Sequence, residues 1–239
     1  MTAEIHVDAF SVQRQNMVDR QLRDRGIKDG RVLQAMARMP RHLFVPTDLR
    51  DRAYEDNALP IGEEQTVSQP FIVAAMLEAL AIDPASIVLE VGTGSGYLAA
   101  LLAELASHVY SVERLPRLAQ SAESILRALN YTNVTIQVGD GSVGLPQSAP
   151  FDAIVVSAAA PEVPEPLVEQ LKNGGRMVVP VGPAQAQTLQ LVSKQQGNAE
   201  VKTLHACRFV PLMGIAVTKQ AGKVDAGAYL VILCQRLRV

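Results

Sequence analysis

The chain has 239 residues, 48% of them apolar and 19% charged, as suits a globular protein with a sizeable core. A net charge of −2 offers no general attraction to nucleic acid, and no apolar run reaches membrane-spanning length. Two cysteines, Cys207 and Cys234, are too few for a disulfide framework, and MTAEIHVDAF lacks a basic then apolar leader, so the expected setting is the reducing cytoplasm.

Gln13 to Arg23 reads as an amphipathic helix ended by Gly26, with Met17, Val18 and Leu22 apolar among charges. Asp29 can cap a second helix carrying Val32, Leu33, Met36 and Met39 at helical spacing, closed by Pro40. The runs Pro40–Pro46 and Tyr54–Gly62 read as loops, punctuated by Pro, Gly and Asn, with a short charged helix between them. Gln65-Thr66-Val67-Ser68-Gln69-Pro70 then leads into a helix from Phe71 to Leu80, with Pro70 in its first turn. On spacing alone, Ser68 is a cap or near-cap residue for that helix.

Ile87 to Leu89 has the length and composition of a buried strand and runs through Glu90 into Gly92-Thr93-Gly94-Ser95-Gly96, followed by a helix from Leu98 to Ala106. Strand, glycine turn, helix is the form of a phosphate or nucleoside site in an open α/β sheet. The spacing G-x-G-x-G differs from the dinucleotide fingerprint G-x-G-x-x-G, and no G-x-x-x-x-G-K-[ST] run is present. His108 to Val112 is a second strand ending at Glu113, about 20 residues beyond the glycine turn, where an acid can accept both hydroxyls of a ribose. Leu115 to Leu129 is a helix and Val134 to Val138 a third strand. Gly139-Asp140-Gly141 ends that strand either as an adenine-binding Asp or as a simple Asp-Gly turn.

Phe151 to Ser157 is near-continuously apolar, as in a strand buried on both faces, and Ala158-Ala159-Ala160-Pro161 follows it. Pro164 to Leu171 reads as a helix stopped by Gly174-Gly175, and Arg176 to Val181 as a fifth strand. Thr188–Lys194 and Val201–Val210 suggest an antiparallel hairpin, and Tyr229 to Cys234 either an edge strand or a helix. This order predicts an α/β fold with a mostly parallel sheet, helices on both faces and a C-terminal antiparallel hairpin. His205 and Cys207, two apart, read as core residues, and no metal site is expected.

Glu90-x-Gly92-x-Gly94-x-Gly96 resembles the first motif of Rossmann-like methyltransferases that use S-adenosylmethionine. Further runs resemble the protein-L-isoaspartate (D-aspartate) O-methyltransferase family: Pro40-Arg41-His42-Leu43-Phe44-Val45-Pro46, Leu59-Pro60-Ile61-Gly62-x-x-Gln65-Thr66-Val67-Ser68-Gln69-Pro70, Gly139-Asp140-Gly141, Ala158 to Pro161, Val179-Pro180-Val181-Gly182, and Arg208-Phe209-Val210-Pro211-Leu212. With Arg25-Gly26-Ile27 and Val32-Leu33-Gln34-Ala35-Met36 as a further run, the resemblance covers roughly residues 13–214. Glu63-Glu64 departs from the family's pattern, which has glycine directly before Gln65.

The resemblance implies one methyltransferase domain over residues 1–214, with N-terminal helices and an active-site loop over 13–80, a cofactor-binding sheet over 87–214 and an extension over 215–239. It implies that Glu90, Gly92, Thr93, Gly94, Ser95, Gly96, Glu113, Asp140 and Gly141 hold S-adenosylmethionine, and that Gln65, Thr66, Val67 and Ser68 close over its methyl group. Ser68 matches the family's active-site serine. Leu59, Pro60, Ile61 and Gly62, with Ala158, Ala160 and Pro161, would line a groove for an extended peptide. The implied reaction methylates the free carboxyl of isoaspartyl or D-aspartyl residues in damaged proteins and yields S-adenosylhomocysteine. The ester then closes to a succinimide, which starts repair. Isoaspartyl proteins and peptides are the expected partners, with no nucleic acid or membrane. A monomer is expected, with the extension as a second route to an oligomer. The alternatives are a carboxyl methyltransferase of the same fold acting on another peptide and a non-catalytic S-adenosylmethionine-binding adaptor.

Overall fold

The computed structural model of the chain describes residues 9–217. The segment Tyr229–Cys234 and most of the extension lie outside these described residues.

Helix α1 (Ser11–Asn16) continues through a wider π turn, Met17–Leu22, and a 3-10 turn, Arg23–Arg25. Gly26, at φ +100°, ends the run, and the amide of Ile27 donates back to the Leu22 carbonyl. Asp29 caps α2 (Gly30–Arg38) as expected, its carboxylate accepting from the amides of Arg31 and Val32.

The short charged helix expected between Pro46 and Tyr54 is present as a 3-10 turn, and the two flanking segments read as loops are more ordered than expected. This stretch contains 3-10 turns at Arg41–Phe44 and Thr47–Arg52 and then an antiparallel ribbon, β1 (Leu59–Gly62) with β2 (Gln65–Val67). Pro60 pairs with Thr66 at the ribbon's free edge, where a missing donor is tolerated. The connecting residues are Glu63 and Glu64, at φ +50° and +57°. A two-residue turn with both centres left-handed favours Asn-Gly or Asp-Gly, and glutamate carries a steric cost there. This explains why a family glycine before Gln65 suits the turn. Replacing Glu64 with glycine is expected to stabilise the protein by about 0.5–1 kcal/mol after the glycine entropy cost, a rise of roughly 1–4 °C in Tm. Thermal unfolding by circular dichroism reads it, and a lowered Tm would contradict the steric account.

Helix α3 (Pro70–Leu80) follows. Then come β3 (Ile87–Val91), α4 (Tyr97–Leu105), β4 (His108–Glu113), α5 (Pro116–Ala128), β5 (Val134–Val138) and β6 (Phe151–Val156). The chain closes with α6 (Glu165–Glu169), β7 (Leu171–Val181), β8 (Gln187–Gln195) and β9 (Asn198–Cys207). The helix expected to run to Leu171 stops at Glu169, and Gly174-Gly175 lies within β7 rather than ending a helix. Gly175 is required there because a Cβ would sit 2.9 Å from the carbonyl oxygens of Asp152 and Lys172.

The seven-stranded sheet has the order β5-β4-β3-β6-β7-β8-β9. Pairs from β5 to β7 are parallel, and β7-β8-β9 are antiparallel, as the hairpin expectation required. Alternation along the strands divides the core. Val88, Ala153, Val155 and Val178 pack with α2, α3 and α4. Leu89, Val91, Ile154, Val156, Met177 and Val179 face the other side, with Leu167 of α6 and Leu212. The strand order reverses between β3 and β6, so a ligand crevice is expected at the carboxyl ends of these two strands.

Candidate active site

The glycine turn lies at that crevice. Gly92, Gly94 and Gly96 have φ of +93°, +54° and +87°, conformations that side-chain-bearing residues rarely adopt. A Cβ on Gly96 would meet that of Ala122 at 3.1 Å, so this glycine also lets α5 pack close to the turn.

Glu90 has no exposed surface. Its Oε2 accepts from the Ser111 hydroxyl, Ser111 lies 2.6 Å from the Thr93 hydroxyl, and Oε1 has no partner. Burial pushes the Glu90 carboxyl up to about 8, the Ser111 bond opposes the shift, and the Glu113 charge adds to it. The folded state therefore binds a proton that the unfolded state has lost between about pH 4.5 and 8. The contribution to stability is full below the unfolded value and is lost as pH rises through the folded one. Glu90→Gln is expected to flatten the decline in Tm between pH 5 and 8 and to raise Tm at pH 8, read by thermal melts at both values. An unchanged pH slope would show that Glu90 does not carry it.

Glu113 ends β4 and is also buried. Its Oε2 accepts from the Gly94 amide and its Oε1 from the Leu115 amide, both at 2.9 Å. The acid thus fixes the glycine turn to the end of the second sheet strand, and each oxygen keeps acceptor capacity for a hydroxyl. The orphaned Glu90 oxygen beside a glycine cradle, with a clamped acid at the next strand end, fits the donors and cation of S-adenosylmethionine.

Asp140 and Gly141 follow β5. A Cβ on Gly141 would come within 2.5 Å of Val91 Cγ1, so the turn lies directly against β3. Asp140 Oδ1 accepts from the amide and hydroxyl of Ser142, and Oδ2 accepts from the Ile215 amide at 2.7 Å. Desolvation alone would raise its pKa, but these donors outweigh it and hold the carboxyl below its ordinary value. Asp140 therefore anchors the chain beyond Gly214, a contact the sequence did not reveal.

The ribbon reaches the glycine turn from above. Ile61 Cδ1 lies 3.4 Å from the Cβ position of Gly94, and Arg117 of α5 donates to Glu63 at 3.1 Å. Next to β2 opens a cleft of about 240 Å³ lined by Thr66, Ser68 and Gln69, by Asp56, Asn57 and Ala58, by Ser157, and by Cys207, Arg208 and Phe209. Ser157 links the two regions, with its Cβ 3.4 Å from the Cβ position of Gly92. Ser68 is not a cap. Gln69 holds the N-cap position of α3, and no side chain caps that helix. Its Nε2 instead donates to the Asp56 carbonyl. Ser68 thus stands one residue outside the helix, on the cleft wall.

Of the other predicted groove residues, Leu59, Ala158 and Ala160 are buried, while Pro161 is exposed. Ala160 bridges to Val181, and Ala159 exchanges backbone bonds with Val210 and Leu212. The run Ala158–Ala160 therefore splices β6 to the closing segment, and Ser157 is the residue of that turn on the cleft wall. Asp56, Asn57 and Ser157 were not among the predicted site residues, because lying in a loop run or at a strand end does not by itself mark a residue for the cleft. His205 and Cys207 are not core residues as expected, because β9 is the outer strand of the sheet: His205 is exposed and stacks edge-on against Phe71 at 5.4 Å, and Cys207 is half-buried on the cleft wall, its thiol pushed up to about 11 by burial. Among the described residues no three His, Cys, Asp or Glu side chains form a group that could hold a metal ion, and no helix is long and apolar enough to cross a membrane.

Residues 12–216 match the family model described as protein-L-isoaspartate(D-aspartate) O-methyltransferase. The chain is 55% identical over 210 residues to a protein-L-isoaspartate O-methyltransferase of Methanoculleus marisnigri, covering 88% of this chain and 96% of that protein. It is 53% identical over 211 residues to that of Syntrophus aciditrophicus, covering 87% and 97%. Among solved structures, a protein-L-isoaspartate O-methyltransferase superposes with a TM-score of 0.75 at 31% identity, over 85% of this chain and 67% of that one. A beta-aspartate methyltransferase of Plasmodium falciparum, solved with S-adenosyl-L-homocysteine, gives 0.74 at 26% identity over 84% and 98%. Matched by that family model over most of its length and more than half identical to two such methyltransferases, this chain belongs to the protein-L-isoaspartate (D-aspartate) O-methyltransferase family.

Proposed function

We propose that the Ser68 cleft is where this S-adenosylmethionine-dependent carboxyl methyltransferase takes the free carboxyl of an isoaspartyl or D-aspartyl residue, and that the glycine cradle holds the cofactor. The observation that carries the reading is the wall shared at Ser157, which sets the Ser68 cleft beside Gly92. S-adenosylmethionine supplies a methyl group activated by its sulfonium. Glu113 would accept from the cofactor's ribose hydroxyls, Asp140 and Gly141 would help to hold its adenine, and Glu90 would help to hold its positively charged end. Gln65, Thr66 and Val67 hold the ribbon over the turn and exclude water.

The acceptor needs no general base, because a carboxyl with an ordinary pKa of about 4 is already ionised at neutral pH. Positive and negative charges cancel as the ester forms, so the protein's work is positioning and water exclusion. Ser68 donates its hydroxyl proton in a hydrogen bond to one oxygen of the acceptor, which leaves the other oxygen to react. The resulting ester closes to a succinimide without further catalysis. Residues 9–214, the described part of the expected domain, act as one domain, and the enzyme works as a cytoplasmic monomer on damaged proteins.

The test is transfer of labelled methyl to a synthetic isoaspartyl peptide, with the matched L-aspartyl peptide as control. Labelling of the isoaspartyl peptide alone is expected. Cofactor binding without labelling would redirect the assignment to another carboxylate or to a binding role.

A further inference from the structure

One buried charge takes no part in the site described above. Arg41 has no exposed surface, yet among the described residues no carboxylate pairs with it. A guanidinium is seldom buried without an anion. Here Nε donates to the Ala53 carbonyl at 2.7 Å and Nη2 to the Ser68 carbonyl at 2.9 Å. The guanidinium carbon lies 4.7 Å from the centre of the Tyr97 ring. Its Nη1 and the Tyr97 hydroxyl are both sealed from solvent, and the two side chains interact with each other there, which opposes the fall that burial imposes on the Arg41 pKa.

The three groups it holds come from three parts of the site. Ala53 precedes the cleft residues Asp56, Asn57 and Ala58. Ser68 is the proposed carboxyl-orienting residue. Tyr97 opens α4 directly after Gly96 of the cofactor turn. A planar guanidinium can fix two carbonyls and rest on an aromatic face at once, whereas an ammonium offers only a point charge. Burial lowers the Arg41 pKa, so its environment is costly for a charge.

We propose that Arg41 is a positioning residue for methyl transfer: it fixes the backbone of Ser68 relative to the head of α4, and so sets the acceptor carboxylate against the cofactor side of the cleft. The proposal rests on the assignment of Ser68.

The test measures kcat, peptide KM, cofactor affinity by calorimetry and Tm for wild type, Arg41→Lys, Ser68→Ala and the double variant. Arg41→Lys is expected to lower kcat roughly 10–100-fold, since a small misplacement of a reacting group carries a cost of this size. Cofactor affinity and peptide KM are expected to stay within about threefold, as for a change of geometry rather than of uniform binding. Because Arg41 acts through Ser68, adding Arg41→Lys to Ser68→Ala is expected to cost little more than Ser68→Ala alone. Unchanged kcat in Arg41→Lys, full additivity, or a parallel fall of kcat and cofactor affinity would each overturn the proposal. A silent Ser68→Ala beside a slow Arg41→Lys would remove Ser68 from the chemistry and the proposal with it, an outcome distinct from a silent Arg41→Lys. If Arg41→Lys does not fold, Tyr97→Leu, which keeps apolar volume and removes the ring beneath the guanidinium, is expected to show the same loss confined to kcat. Unchanged kcat there overturns the proposal as well.

Discussion

Ser68→Ala is expected to lower kcat for an isoaspartyl peptide by roughly 30–150-fold, the equivalent of about 2–3 kcal/mol for one hydrogen bond to a charged group. The loss should fall on kcat, because the bond fixes which carboxylate oxygen presents itself and adds little to the binding of the rest of the peptide. Cofactor affinity should not change. Stability should also hold, since the Ser68 hydroxyl does not cap α3 and the Arg41 bond to this residue uses its backbone carbonyl. Steady-state kinetics with thermal melts separates these outcomes. A variant within threefold of wild type would show that the serine orients nothing.

Glu113→Ala is expected to weaken S-adenosylmethionine binding by on the order of 100-fold or more, about 3 kcal/mol for two hydroxyl bonds to one carboxylate. The clamp on the glycine turn adds to this, because removing the acid also frees the amides of Gly94 and Leu115. A second consequence follows from the neighbouring acid. The Glu113 charge helps to raise the Glu90 pKa, so the variant should move the Glu90 titration downward. Calorimetry measures the affinity, and melts across pH 5 to 8 follow the titration. Affinity within threefold of wild type would leave Glu113 only its structural contacts.

The two predictions differ in how visible their residues were. Glu113 could be found from the sequence, because a strand end about 20 residues past a glycine turn falls beside the ligand in any doubly wound sheet. Ser68 carried two meanings at once, since a serine just before Pro70 and a helical run also reads as a cap. Only the backbone shows that Gln69 holds the cap position and that Ser68 stands beyond it. Asp140 shows the same ambiguity in reverse. The Asp-Gly turn was legible, but its bond to the Ile215 amide joins residues 75 apart and has no local signature.

What the sequence determined by itself was the order and kind of elements from β3 onward, the glycine turn and its two acids. Alternating and continuous apolar runs, caps and glycines act within a few residues of one another, so short stretches record them. The ribbon over the turn was missed because two glutamates occupy left-handed positions that usually reveal themselves by glycine or asparagine. The α6 boundary was misplaced because Gly174-Gly175 serves close backbone packing in β7 instead of a helix stop. Tertiary structure alone decided that Asp56, Asn57, Ser157 and Cys207 share a cleft with Ser68, and that a buried arginine joins that cleft to Tyr97 beside the glycine turn. The physical reason is that these neighbours are fixed by sheet order and by packing across it, so no local run of residues encodes which distant side chains will meet.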